Sequence, residues 1–170
     1  DNKKIKIINK KGKFFSSFEK ITECDLIIIC VPTPLKNNIP NLKYVKDALV
    51  SIKNNIRNGH TIVLESTSYP GTTQDIIIDK LKNKFTIGKD IFIGFSSERI
   101  NPGFNENYIS EIPKVLSGSS KSCLKVIASY YSSAFKKIIK CENIRVAEFS
   151  KLLENIYRSV NIGFINEMKL

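Results

Sequence analysis

Signatures of metal binding and of disulfide frameworks are missing from this sequence. The four cysteines, Cys24, Cys30, Cys123 and Cys141, show no C-x-x-C spacing, and His60 is the only histidine, so no structural zinc or other metal centre is expected. Reduced thiols of a cytoplasmic protein fit this pattern, with Cys24 and Cys30 read as small buried groups at the two ends of an apolar run. No apolar stretch reaches the roughly 20 residues that cross a bilayer, and the opening Asp1-Asn-Lys-Lys lacks the apolar run of a signal peptide. No membrane partner is expected. Acidic residues are also few, 16 Asp and Glu against 27 Lys and Arg, for a formal charge of +11. The lysines lie scattered among isoleucines and asparagines rather than along one stripe. That distribution reads as solvated surface and not as a nucleic-acid footprint, although a few cations around a cleft suffice to attract a phosphate-bearing ligand.

What is present suits one packed domain: 170 residues, 42% of them hydrophobic, can bury one sizeable core. The Lys-rich first twenty residues, with apolar positions at Ile5, Ile7 and Ile8, read as an irregular or edge segment. The run Leu26-Ile-Ile-Ile-Cys-Val31, closed by Pro32-Thr-Pro34, predicts a strand buried on both faces of a parallel sheet. Leu42, Val45, Leu49, Ile52 and Ile56 recur at helical spacing until Asn58-Gly59, and Thr61-Ile-Val-Leu64 predicts a second buried strand, giving a βαβ unit. Gly71-Thr-Thr73 predicts a helix start with a hydroxyl available as cap and Ile76, Ile77 and Leu81 turned inward. A third strand is expected at Asp90-Ile-Phe-Ile93, then a long polar loop from Ser96 to Ile112. A short strand at Lys114-Val-Leu116 and a helix from Ser120 to Phe135 with Leu124, Ile127 and Tyr131 on its core face follow. From Arg145 to Leu170 the one helix breaker is Gly163, and Leu152, Ile156, Ile162 and Ile165 mark an amphipathic helix.

This alternation describes an α/β chain, part of a doubly wound, Rossmann-like parallel sheet followed by the start of a long central helix, with ligands bound at the carboxyl ends of the strands. Missing is a G-x-G-x-x-G after any strand, the phosphate-cradling turn that belongs to a first β-α unit. Either the chain is something other than such a domain, or its first unit is absent.

Four segments fall where such a sheet places chemistry. Val31-Pro-Thr-Pro34 follows a strand directly; its prolines stiffen the loop and Thr33 offers a hydroxyl to a ribose or phosphate, although the same pattern also suits an ordinary proline turn. Glu65-Ser-Thr-Ser-Tyr-Pro-Gly-Thr-Thr73 crowds hydroxyls between a strand and a helix start, a natural place to meet an anion or a carbonyl and equally a capped helix start. In Ser96-Ser-Glu-Arg-Ile-Asn-Pro-Gly103 an acid, a base and an amide stand within four positions, with Glu98 suited to general-base work. Glu148, Lys151 and Asn155 stand three and four residues apart on one helix face. Such stripes are commonly solvent-facing, but a lysine and an amide one turn apart can also steady an oxyanion.

Taken in order, Ile-Ile-Cys-Val-Pro-Thr-Pro-Leu35, Glu-Ser-Thr-Ser-Tyr-Pro-Gly71, Ser-Ser-Glu-Arg-Ile-Asn-Pro-Gly103, and Ala147-Glu through Asn155 with Asn166-Glu167 beyond resemble the UDP-glucose/GDP-mannose dehydrogenase family of NAD-dependent nucleotide-sugar 6-dehydrogenases. The resemblance runs from about Phe14 to the end. It implies a twofold oxidation of a sugar C6 alcohol to a carboxylate in polysaccharide precursor synthesis, with two NAD molecules consumed and a thioester formed on a cysteine. It further implies that Pro32, Thr33, Ser66 and Thr67 lie at the cofactor, that Thr67 positions water, that Glu98 is the base for thioester hydrolysis, and that Lys151 and Asn155 steady the oxyanions.

The sequence departs from the family pattern in three places. Ser96-Ser97-Glu98 replaces the usual Ser-Pro-Glu. Pro102 stands where the UDP-glucose branch has a second glutamate, so that Glu-Arg-Ile-Asn-Pro-Gly103 looks more like the UDP-N-acetylhexosamine branch. None of the four cysteines matches the nucleophile. The resemblance thus implies a fragment inactive alone, with residues 1–143 the later part of the NAD-binding domain and 144–170 the start of the helical region through which the family forms homodimers. A non-catalytic or degenerate nucleotide-binding module acting with a partner chain is the competing reading.

Overall fold

The computed structural model describes residues 12–37, 39–97 and 111–169. A five-stranded sheet has the order β1 (Leu26–Ile29), β4 (Thr61–Leu64), β5 (Phe92–Ser96), β6 (Lys114–Gly118), β7 (Ile138–Cys141), and β2 (Leu35–Lys36) pairs with β3 (Ile39–Pro40) in a small antiparallel ribbon. The helices are α1 (Lys43–Ile52), α2, which is π-helical over Thr73–Ile78 and α-helical over Asp79–Leu81, α3 (Lys121–Tyr131) and α4 (Ile144–Lys169). None of the described helices is long and apolar enough to cross a membrane.

The core follows from period. Leu42, Val45, Leu49, Ile52 and Ile56, spaced for one helical stripe, are all buried, and Gly59 ends that stretch at φ 91°, a backbone conformation that costs glycine little. β4 is buried at all four positions, as its unbroken aliphatic run predicts for a strand covered on both faces. Its side chains alternate between two cores: Ile62 and Leu64 join α1, α2 and Ala147 of α4, whereas Val63 joins Leu116, Ile127 and Tyr131 beneath α3. Each aliphatic side chain so buried contributes roughly 1.5–3 kcal/mol.

β1 departs from its expected place. It pairs with β4 alone among the described strands, and Ile28, on the α3 side, is 43% exposed because α3 covers β4 to β7 and leaves β1 bare. Burial on both faces holds for β4 and not for β1. The thiols expected to be buried there are not: Cys24 and Cys30 are exposed.

The α/β class stands, with a sheet that is mixed rather than wholly parallel. β1, β4 and β5 run together, β6 runs antiparallel to β5, and β7 follows β6 in parallel. Polarity is not written in a strand's own residues, since Lys-Val-Leu-Ser-Gly pleats equally well in either direction. β7 was not expected at all; its Ile-Ile-Lys-Cys has neither alternation nor a long apolar run, and as an edge strand it is only partly buried.

Where β5, β6 and α3 meet, glycine is obligatory. A Cβ on Gly94 would lie 2.1 Å from the Ser117 carbonyl oxygen and 2.4 Å from Ile127 Cδ1. At the other end of the strands His60 is buried, and its Nδ1 accepts the Arg57 amide at 3.2 Å. Burial first, and then the Arg57 charge, lower its pKa from the ordinary 6.5.

Gly94→Ala is expected to cost about 3 kcal/mol through overpacking, read as a drop in the urea midpoint at unchanged slope; an unchanged midpoint would contradict the packing described. A depressed histidine pKa means that the unfolded chain takes up a proton the folded one resists, so its contribution is present above pH 6.5 and is lost as pH falls below it. The urea midpoint should therefore fall between pH 7.5 and 5.5 in the native protein and stay flatter in His60→Asn. Equal slopes in the two would remove His60 as the cause.

Candidate functional site at the carboxyl ends of the strands

The carboxyl ends of the parallel strands β1, β4 and β5 lie side by side, and three of the four segments singled out in the sequence begin there, the fourth lying on α4. After β1, Pro32 is exposed and Thr33 half-buried; after β4, Ser66 is buried and Thr67 exposed. These two segments are tied together. The Ser66 hydroxyl accepts the Val31 amide at 2.8 Å and donates to the Val31 carbonyl at 2.7 Å, and the Glu65 and Ser66 amides both reach the Ile29 carbonyl, at 3.0 and 3.2 Å. Ser66 therefore acts on the Pro32–Thr33 loop through its backbone. Among the described residues, the hydroxyls of Ser68 and of Ser97, just past β5, are buried with no hydrogen-bond partner. Orphaned buried hydroxyls cost about 1–3 kcal/mol each. Glu98, expected as the general base, lies outside the described residues.

The start of α2 differs from expectation. No Thr hydroxyl caps it. The carboxylate of Glu148, wholly buried on α4, accepts the Gly71 amide at 2.5 Å and the Thr73 amide and hydroxyl at 2.8 and 2.7 Å. The anion that this helix start was expected to meet is thus supplied from within the chain. Glu148 is not part of a solvated stripe, and its neighbours on the same face, Lys151 one turn on and Asn155 two turns on, are half-buried.

Sequence reasoning also passed over the side chain of Glu65. Its Oε1 accepts the Tyr131 hydroxyl at 2.5 Å and lies 3.1 Å from Lys114 Nζ, and its Oε2 lies 3.8 Å from the Cys30 thiol. Lys114 is only 4% exposed, and its ammonium stands 5.1 Å from the Phe135 ring centre. Burial, followed by the adjacent Glu65 carboxylate, pushes the Tyr131 phenol far above its usual range, so it stays a proton donor. The one signal available was a lysine opening an otherwise apolar strand, because a buried lysine needs an acid.

A mixed α/β sheet with hydroxyl-lined loops at its parallel strand ends defines a nucleotide-binding domain of the doubly wound class. The family model for the UDP-glucose/GDP-mannose dehydrogenase family, NAD binding domain, matches residues 2–135, and the chain belongs to that family. It is 37% identical over 169 residues to Protein CapL of Staphylococcus aureus, covering 97% of this chain and 40% of that protein. To the UDP-N-acetyl-D-glucosamine 6-dehydrogenase of Salmonella typhi it is 36% identical over 162 residues, covering 93% and 38%. The structure of the UDP-N-acetyl-mannosamine dehydrogenase Cap5O from Staphylococcus aureus superposes with a TM-score of 0.78 at 35% identity, covering 85% of this chain and 36% of that one. The chain spans about two fifths of the length of these relatives.

Replacing Glu148 by Ala strands three donors and is expected to cost about 3 kcal/mol in urea unfolding, with Glu148→Gln, which keeps one acceptor oxygen, losing less. Hydrogen exchange at the Gly71 and Thr73 amides should quicken in step. A loss for Glu148→Ala within about 0.5 kcal/mol of zero, typical of surface positions, would show that the carboxylate is not holding the helix start.

Proposed function

We propose that this chain forms the NAD site of a UDP-sugar 6-dehydrogenase, acting on a UDP-N-acetylhexosamine, and that it does not turn over alone. The observation that carries the reading is the pair of loops joined by Ser66 and Val31, with the unpartnered Ser68 and Ser97 hydroxyls beside them at the parallel strand ends. These groups fit a ligand rich in hydroxyls and phosphates. Pro32 and Thr33 border the cofactor with Ser66 holding their loop, and Thr67, exposed on the adjoining turn, orients water. NAD supplies the hydride acceptor. Lys151 and Asn155 steady the oxyanion by charge and amide donor, and Glu98 takes the proton in hydrolysis.

The two named dehydrogenases among the relatives act, by their names, on UDP-N-acetylhexosamines, and Pro102 in place of a second acid favours the same substrate class here. The inactivity is supported by where the cysteines sit: Cys123 is buried, Cys141 donates to the Asn143 carbonyl, Cys24 precedes β1, and the Cys30 thiol points at a carboxylate. Residues 1–143 serve the cofactor, and 144–170 begin a helical region that pairs with a second copy. The exposed Phe149, Leu153, Ile156 and Val160 on α4 support that pairing.

NADH titrated into the chain should show saturable fluorescence enhancement, weakened in Thr33→Val and Thr67→Val, with no NAD reduction on adding UDP-N-acetylglucosamine or UDP-N-acetylmannosamine. Absence of saturable binding sinks the cofactor reading. Reduction of NAD by the chain alone sinks the inactivity.

A further inference from the structure

The Glu65 carboxylate gathers donors from three separate elements, and nothing in the proposed chemistry uses it. Tyr131 comes from the last turn of α3, Lys114 opens β6, and Cys30 begins the loop after β1. The next residue, Ser66, grips the Val31 backbone from the other face of the same strand end. Cys30 and Val31 are thus held by neighbouring residues on opposite faces, immediately before Pro32 and Thr33. We propose that Glu65 is a positioning residue, set by Tyr131 and Lys114, that fixes the Cys30–Pro34 loop against the Ser66–Thr67 turn and so shapes the cofactor site. This rests on the NAD reading above.

Energetics alone do not account for the cluster. A buried ion pair is often no more stabilising than apolar side chains of the same volume, and an apolar face is already supplied here by Ile127 and Ala128 of α3 and by Phe135 just past it. What an aliphatic substitute cannot do is direct one carboxylate at a phenol and an ammonium through Oε1 while Oε2 meets a thiol. That geometry makes the loop's root follow the end of α3 and the start of β6. A 1 Å displacement at such a root is enough to cost binding.

Cys30 reports on the cluster without any cofactor. Tyr131→Phe keeps every charge and removes only the phenol's hold on Oε1, and Glu65→Gln with Lys114→Met removes both charges together so that neither is left buried alone. Cys30 alkylation by iodoacetamide, resolved by peptide mass mapping with the exposed Cys24 as internal reference, should accelerate threefold or more in Tyr131→Phe. In the double variant, where the thiol has lost its carboxylate partner, it should accelerate threefold or more as well. NADH Kd should rise fivefold or more in both, at a temperature where circular dichroism shows them folded. A lowered Tm with unchanged Cys30 reactivity in both variants overturns the proposal, as does unchanged NADH affinity. Native protein that binds no NADH, yet shows the Cys30 response, defeats the cofactor reading and leaves the hold of Glu65 on the loop established.

Discussion

The buried carboxylate of Glu148 at the amino end of α2 is the contact on which the arrangement of the candidate site depends. A helix start presents unpaired amides and the positive end of the helix dipole, and here both are met by an acid from the far end of the chain, 77 residues away from Gly71. Ala147 and Glu148 are the buried residues of the 26-residue α4. The helix is therefore held on the sheet by its first two turns, and the three hydrogen bonds at Glu148 set its rotation. Because side chains repeat about every 3.6 residues, Lys151 and Asn155 are turned to the same side, and the rest of α4 projects with an apolar face uncovered.

A second carboxylate does the corresponding work at the other end of the same segment. Glu65 opens the stretch that Thr73 closes, and it is tied across β6 and α3 on the opposite face of the sheet. The hydroxyls between them, Thr67 and Ser68, lie on a turn fixed at both ends. Holding a polar turn in one conformation before a ligand arrives lowers the entropy lost on binding, and it explains how a loop with partnerless buried hydroxyls persists: the cost at Ser68 is offset by strong charge-assisted bonds on either side.

Much of the fold was legible because period and burial are local. The α1 stripe, the all-buried β4, and the core face of α3 follow from spacing in the sequence, and Ser120 caps α3 by accepting the Cys123 amide as a serine before a helical run should. The failures have physical causes. β7 is short, lysine-bearing and at an edge, so nothing in it marks a strand. β1 carries the same aliphatic run as a doubly buried strand, but run and edge position are independent of each other, and Ile28 shows the edge. The cysteines at its ends were judged by residue type, whereas exposure is set by what packs above them.

For the candidate site, the residue types at strand ends were readable: the first three segments named from sequence begin at the carboxyl ends of β1, β4 and β5 and the fourth lies on α4, with residues 98–103 of the third outside the described residues. Their partners were not. The hold of Ser66 on Val31 was not foreseen; Glu148 was read as one of a stripe and proves to be a cap; Tyr131, read as core, is buried there and also donates to Glu65. The sequence by itself determined the longer helices and the aliphatic strands, and which loops carry hydroxyls, because these depend on neighbours a few positions away. Only the tertiary structure decided which carboxylate meets which donor and which strand runs backwards, because those depend on residues distant in the chain, 66 positions for Glu65 and Tyr131 and 77 for Gly71 and Glu148, brought together by packing.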